Sequence, residues 1–253
     1  MTPLFSIITV TYNAQETLPS TLKSVAEQSC RLFEYIIMDG DSSDKTLKIA
    51  IDAAIPEARV YSKPDKGIYD AMNKAMAVAK GDYLIFLNAG DSFHSSDTLE
   101  TIARTIIDAD YPGIVYGQTD LVDSSRQFIA HRHLTAPESL DIKSFAEGMT
   151  VCHQAFIANR KLAQFYNLKY RYSADYDWCI RCLQRSRRNC YIPEVLIDYL
   201  VEGETTRHRR QSLWERFKIM SYYYGLFPAI WRHIGFIPRY LKHKKELESK
   251  QKQ

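Results

Sequence analysis

A chain of 253 residues, 45% hydrophobic and 25% charged, has an ordinary globular composition and length enough for one large domain or two small ones. Ten glycines and nine prolines exclude low complexity and disorder, and no fixed period marks a repeat array. The formal charge of +3 is divided: from Arg207 to Gln253 twelve Lys/Arg stand against three Glu, a net +9, which leaves −6 on Met1 to Thr206. A nucleic-acid binder places its basic face on the folded body, so an acidic body with a basic tail excludes nucleic acid and points the tail toward anionic lipid, an acidic partner or solvent.

The first residues, MTPLFSIITVTYN, carry no basic n-region and no small-residue cleavage site, so the expectation is a cytoplasmic chain. Phe5 to Val10 is an apolar, β-branched run suited to a strand buried on both faces, and Thr17 to Gln28 follows with helical spacing at Leu18, Leu22 and Val25. The alternation repeats three times: Tyr35–Met38 then Thr46–Ala54, Arg59–Ser62 then Ile68–Lys80, and Tyr83–Leu87 then Thr98–Ile107. Gly81 reads as the residue that closes the third helix. Short connections between strand and helix imply a mostly parallel sheet with helices on both faces, an α/β fold. Five cysteines, an odd count at irregular spacing, read as reduced thiols; Cys179 and Cys182 lie at helical spacing in DYDWCIRCLQR and read as buried thiols rather than zinc ligands.

In an open sheet of this kind ligands bind beyond the carboxyl ends of the strands. The residues there are polar: Thr11, Tyr12 and Asn13 after the first strand, Asp39, Gly40 and Asp41 after the second, Asp65 and Lys66 after the third, and Asn88, Gly90 and Asp91 after the fourth. The turn TYNAQET has no glycine, which excludes both the dinucleotide fingerprint and the phosphate-cradling loop ending in GK[ST]. A nucleotide can still be held by side chains, with Asp39 accepting from a ribose hydroxyl or a base N–H and Asp91 ligating a hard divalent cation that meets the phosphates.

Taken together, SIITVTYNA, EYIIMDGDSSDKT, DKGIYDAMNKAMAVAKGDYLIFLNAGD and SADYDWCIR resemble the family-2 glycosyltransferases with the GT-A fold, closely across Phe5–Asp91 and again from about His153 to Arg181. The resemblance implies a nucleotide-sugar donor, a UDP-sugar first, a divalent cation (Mg²⁺ or Mn²⁺) and inversion at the anomeric carbon. It places Thr11, Tyr12, Asn13 and Asp39 against base and ribose, and Asp65, Lys66, Asn88 and Gly90 along the donor. LNAGD stands where relatives have LDADD, so Asp91 alone keeps the metal-binding acid. Asp175, in the position of the aspartate in the family's ED pair, takes the role of general base. Asp177 lies two residues on and is read as a helix cap or supporting group.

The chemistry also calls for cations at the departing diphosphate, for which Lys66, Arg207 and His208 are the candidates. His153, Gln154, Asp177, Arg207 and His208 form the set of expected acceptor or diphosphate contacts, with a buried structural role as the alternative for His153. The acceptor implied is a glycan or lipid-linked glycan of bacterial surface polysaccharide synthesis. Two other functions are weighed: a sugar nucleotidyltransferase, which would show a glycine-rich basic loop where TYNAQET stands, and a donor-binding scaffold without turnover, against which the retention of both Asp91 and Asp175 argues.

The chain divides by sequence into a GT-A domain at 1–206, with a nucleotide-sugar half at 1–110 and an acceptor half at 111–206, and a basic aromatic helical tail at 207–253. The tail joins Trp214, Phe217, Tyr222, Tyr223, Tyr224, Phe227, Trp231, Phe236 and Tyr240 to its basic excess. A spanning helix is excluded by Arg232, His233 and Pro228 inside the best window. Two readings remain for it, peripheral contact with the anionic inner face of the cell membrane, and packing on the domain or on a second copy in a homodimer.

Overall fold

The computed structural model describes residues 2–201 and 209–233. In chain order its elements are β1 (Phe5–Thr11), α1 (Leu18–Ala26), β2 (Phe33–Asp39), α2 (Thr46–Asp52), β3 (Ala58–Ser62), α3 (Ile68–Val78), β4 (Tyr83–Phe86), β5 (Ser92–Phe93), α4 (Thr98–Asp108), β6 (Ile114–Val122), β7 (Phe128–His131), β8 (Phe156–Asn159), α5 (Ala174–Arg185), β9 (Asn189–Leu200) and α6 (Arg209–Tyr224). Short 3-10 turns occupy Lys143–Glu147 and His153–Ala155, and a further helical segment covers 226–233.

The strands form one nine-stranded sheet in the order β3-β2-β1-β4-β8-β6-β9-β5, with β7 paired to β6. β1 is parallel to both β2 and β4, and β2 to β3, so the first four strands end at a common edge. β8 runs antiparallel between β4 and β6, while β6 and β9 are parallel. The alternation of side chains along β1 serves two layers at once: Ile8 and Val10 enter the core shared with α3, α5 and α6, whereas Phe5 and Ile7 enter the core shared with α1, α2 and α4. This is the α/β sheet with helices on both faces that the sequence implies, parallel across β1 to β4 and mixed beyond them.

One local expectation is corrected. α3 stops at Val78 because Ala79 turns to extended backbone (φ −67, ψ 135), so Gly81 does not cap it. Glycine is required at 81 for space instead, since a Cβ there would lie 2.4 Å from the backbone of Phe5 and Ser6. The 111–149 region holds β6 and β7. All five cysteines are free, and Cys179 and Cys182 are fully buried on α5, as their helical spacing predicts.

The tail helix α6 is bound to the domain. Ser212 meets Ser173 at 3.0 Å, Glu215 accepts from the backbone N–H groups of Arg171 and Tyr172 at 2.8 Å each, Tyr223 donates to Asp177 at 2.9 Å, and Ile219 and Met220 enter the core. Its other side stays in solvent, with Trp214 and Tyr222 58% and 79% exposed, and in the segment that follows it Phe227 and Trp231 are 83% and 80% exposed. No helix among the described residues is long and apolar enough to cross a membrane. The expected domain boundary at 206, with Arg207 and His208, falls outside the described residues, as do Phe236 and Tyr240.

Candidate active site

The common edge of β1 to β4 gathers the polar residues singled out in the sequence. Asp39, the last residue of β2, is fully buried and accepts four hydrogen bonds: from the Thr11 hydroxyl at 3.0 Å, the Ser42 N–H at 3.0 Å, the Ser42 hydroxyl at 2.5 Å and the Ser62 hydroxyl at 2.8 Å. Burial pushes its pKa up, but the donors from Ser42, Ser62 and Thr11 outweigh it and hold the carboxyl below its ordinary value. A carboxylate has about four acceptor sites, so all are taken here, and a base N–H reaches Asp39 only when a serine or threonine hydroxyl rotates away.

Beside it Tyr12 is 68% exposed, a ring free to stack on a planar ligand. Gly40 lets Tyr12 and Asp65 close on each other, since a Cβ at 40 would fall 2.4 Å from Asp65 Oδ2 and 3.4 Å from the Tyr12 ring. Asn13 adopts a left-handed conformation (φ 48) and is turned into the loop after β2, accepting from the Ser43 N–H at 3.0 Å. Asp65 accepts from the Gly67 N–H at 2.7 Å, and the Lys66 N–H donates to Asp70 at 3.0 Å, so this loop braces its own backbone and leaves the Lys66 side chain in solvent.

The turn after β4 is fixed from several directions. Gly90 adopts φ 102, a conformation that disfavours any side chain, and its N–H donates to the Thr21 hydroxyl at 2.9 Å, which in turn donates to the Asp91 carbonyl at 2.7 Å. Asp91 is buried, accepting from Gln154 Nε2 at 2.7 Å and from the Leu200 N–H at 3.0 Å. Burial outweighs these two donors and the nearby charge of Arg126, and its pKa is pushed up to about 7. Arg126 donates to the Gly90 carbonyl at 2.5 Å and to the Ser92 hydroxyl. Close by in sequence, Asn88 Oδ1 is buried without a hydrogen-bond partner among the described residues.

A carboxylate short of positive charge and an orphaned amide oxygen are both hard donors, and they fit a divalent cation. The described residues hold no group of three His, Cys, Asp or Glu able to bind a metal. A cation at Asp91 would therefore draw its remaining ligands from phosphate oxygens and water.

Asp175 reaches the site from the first turn of α5, where Ser173 occupies the N-cap position. Its Oδ1 accepts from the Tyr69 hydroxyl at 3.0 Å and from the Tyr176 N–H at 2.9 Å, while no hydrogen bond reaches Oδ2 among the described residues. Burial, reinforced by the Asp175 charge, drives the Tyr69 pKa far up, so its hydroxyl stays a donor. The Asp175 charge also acts on His153 and Tyr199, and that of Asp91 on Tyr199 and Cys152.

The expected contact set divides. Gln154 is the donor that holds Asp91. His153 does not line an open site: it is buried, stacks on Phe86 at 5.0 Å, abuts Trp178 at 5.6 Å and meets the Tyr166 hydroxyl at 2.7 Å. Asp177 does not cap α5 either; its oxygens take Arg181 at 2.8 Å and Tyr223 at 2.9 Å, so it ties the tail helix down. Sequence reasoning gave no role to Tyr69, Arg126, Arg132 or Arg216. Of these only Tyr69 carried a signal, its placement on the helix just after DKG.

Residues 6–164 match the model of the family described as "Glycosyl transferase family 2". A "PGL/p-HBAD biosynthesis glycosyltransferase" of Mycobacterium bovis is 38% identical over 186 residues, covering 71% of this chain and 70% of that protein. Among solved structures, S. aureus TarS 1–349 in complex with UDP-GlcNAc superposes with a TM-score of 0.67 at 18% identity, covering 86% of this chain and 65% of the other. The mannosyltransferase PcManGT from Pyrobaculum calidifontis, in complex with GDP-Man and Mn²⁺, gives 0.63 at 16%, covering 92% and 74%. The chain belongs to glycosyl transferase family 2, and it is a glycosyltransferase of the GT-A fold.

Burial depresses the His153 pKa to about 4, against an ordinary value near 6.5. Between those values the unfolded chain binds more protons, so stability that is full above pH 6.5 is lost as pH falls toward 4, at up to ~1.4 kcal/mol per pH unit. His153→Gln, which cannot titrate, is expected to show a shallower fall of melting temperature between pH 7 and 4 than the wild type. Parallel melting curves for the two proteins would contradict the assignment.

Proposed function

We propose that this enzyme moves a sugar from a nucleotide-sugar donor, a UDP-sugar in the first instance, to a hydroxyl of a glycan or lipid-linked glycan, inverting the anomeric carbon. The observation that carries the reading is the contrast between two acids, Asp91 and Asp175. Asp91 is clamped through both oxygens and short of positive charge, whereas Asp175 keeps one oxygen open. The donors named in the TarS and PcManGT complexes, and the Mn²⁺ of the second, support it.

Under this reading the base lies against the Tyr12 ring beside Asp39 and Asp65, Thr11 and Asn13 shape the floor, and Lys66 faces the phosphates from solvent. Asp91 and Asn88 would hold Mg²⁺ or Mn²⁺, with Gly90 setting the turn that presents them. When bound, the cation supplies Lewis-acid neutralisation of the charge that develops on the leaving diphosphate. Asp175 Oδ2 accepts the proton of the acceptor hydroxyl as the oxygen bonds to the anomeric carbon. On the opposite face the carbon–oxygen bond to the phosphate breaks and the nucleoside diphosphate leaves with the electron pair. Tyr69, donating to Oδ1, turns the open oxygen toward the acceptor.

Residues 1–206 are assigned to the catalytic domain, with donor half 1–110 and acceptor half 111–206, and 207–253 to the tail. The exposed ring face of the tail helix, followed in sequence by Arg239, Lys242, Lys244 and Lys245, suits the anionic inner face of a cell membrane and a bacterial surface-glycan pathway.

Asp91→Asn is expected to abolish most of the Mg²⁺- or Mn²⁺-dependent release of nucleoside diphosphate in a screen of nucleotide sugars; an unchanged metal titration would remove Asp91 from that role. Asp175→Asn is expected to lower single-turnover transfer by at least roughly a hundredfold with nucleotide affinity nearly unaltered. Asp177→Asn should instead lower the melting temperature, and a reversal of the two patterns exchanges the roles. In co-sedimentation with phosphatidylglycerol vesicles the intact chain should bind in a salt-sensitive way, and the double change Phe227→Ser, Trp231→Ser should weaken it. A chain that ignores such vesicles but forms dimers, lost in the double variant, assigns the same face to a homodimer.

A further inference from the structure

The buried stripe of α6 runs through Ser212, Ile219 and Met220, with Glu215 and Tyr223 beside it. Arg216 lies one turn after Ser212 and one turn before Met220, on that same stripe. Ser212 is bonded to Ser173, the N-cap residue of the helix whose first turn carries Asp175. The tail helix thus directs an arginine toward the end of α5 that holds the candidate base. Arg216 Nε is buried and has no hydrogen-bond partner among the described residues. A buried guanidinium N–H left unpaired is costly.

A second arginine faces the same region. Arg132, just after β7, donates from its terminal nitrogens to the carbonyls of Leu134 at 2.8 Å, Thr150 at 3.1 Å and Met149 at 2.6 Å. Those contacts fix its position without neutralising its charge. Neither arginine has an ion-pair partner among the described residues. Their charges act on each other, that of Arg132 is coupled to Asp175, and that of Arg216 acts on Tyr69 and Tyr176, the two residues that donate to Asp175. Asp91, on the donor side, has Arg126 rather than either of these as its cationic neighbour.

We propose that Arg216, seconded by Arg132, binds a phosphate group of the acceptor beside Asp175. Two cations that act on each other and have no ion pair among the described residues favour a multiply charged oxyanion, and a planar guanidinium with a free N–H matches phosphate geometry. The acceptor class is then a sugar linked through phosphate, as in a lipid-linked glycan whose lipid lies at the exposed face of the same helix. The assignment rests on the reading of Asp175 as the base, but its test reads anion binding and not turnover.

The test uses the full chain without added metal, saturated with UDP, and titrates inorganic pyrophosphate by calorimetry. Pyrophosphate is expected to bind the UDP-saturated protein, and Arg216→Gln to weaken that affinity about tenfold or more, the scale of a lost charge-assisted hydrogen bond. Arg216→Lys should lose less, and Asp175→Asn, which removes a neighbouring negative charge, should bind pyrophosphate more tightly. Equal pyrophosphate affinity in Arg216→Gln and wild type overturns the proposal. So does loss of pyrophosphate binding once UDP is saturating, which assigns the arginines to the donor's diphosphate. Melting temperatures of both Arg216 variants near that of the wild type exclude a folding defect. If the glutamine variant is unstable, the lysine variant decides: a loss smaller than tenfold is expected, because the planar donor fork is gone while the charge remains, and wild-type affinity overturns the proposal. Failure of the base reading would appear separately, as unimpaired transfer by Asp175→Asn.

Discussion

Carboxylates at the ends of buried strands must be supplied with donors, and the number of donors decides what each can do. Asp39 and Asp91 are alike in chemistry and in depth, both closing the edge where β1 to β4 end. Asp39 has four donors, drawn from Thr11, Ser42 and Ser62, and its charge is fully accommodated; in return it binds the ends of β1, β2 and β3 into one unit. Asp91 has two, from Gln154 and Leu200, and burial wins. The first is a joint in the scaffold that a nucleotide can engage only by displacing hydroxyls. The second is a position where added positive charge would relieve a deficit built into the fold.

The supply of donors also separates what the sequence disclosed from what it hid. The apolar run of β1 and the period of α1 require only local spacing, and both appear where they were expected. The acids after strands were legible for the same reason, because strand ends and polar breaks are adjacent in the chain. The partners that set their state were not: Gln154 reaches Asp91 across 63 residues and the Leu200 N–H across 109. His153 illustrates the limit in a single side chain. Its neighbours Phe86, Tyr166 and Trp178 come from three parts of the chain, and they turn a residue of catalytic type into a neutral packing group. Gly81 fails in the opposite direction. Its position near a helix end suggested a cap, whereas the constraint on it comes from β1.

Asp175 and Asp177 show how helical geometry sorts two acids of equal chemistry. Two residues on a helix differ by a large angular step, so α5 turns Asp175 toward Tyr69 of α3 and Asp177 toward Arg181 and Tyr223. One carboxylate retains an open oxygen at the site, and the other has one oxygen taken by Arg181 of its own helix and one by Tyr223 of the tail. That division was foreseeable in outline from spacing, but the identity of the partner helix was not, because α6 lies beyond a segment with no strand or helix periodicity of its own.

The tail helix therefore cannot be treated as an appendage. Its inner face contributes Ile219 and Met220 to the core that also contains Trp178 and Phe86, and Glu215 and Ser212 fix it to the start of α5. Its outer face carries exposed rings at Trp214 and Tyr222, continued by Phe227 and Trp231 after the Tyr224 end of the helix. A rigid helix cannot move one face without the other. Any surface that engages the outer rings consequently bears on Arg216 and on the α5 terminus that presents Asp175. For an acceptor held at a membrane by its lipid and at the site by its phosphate, one helix then sets both the distance and the orientation of the hydroxyl to be glycosylated.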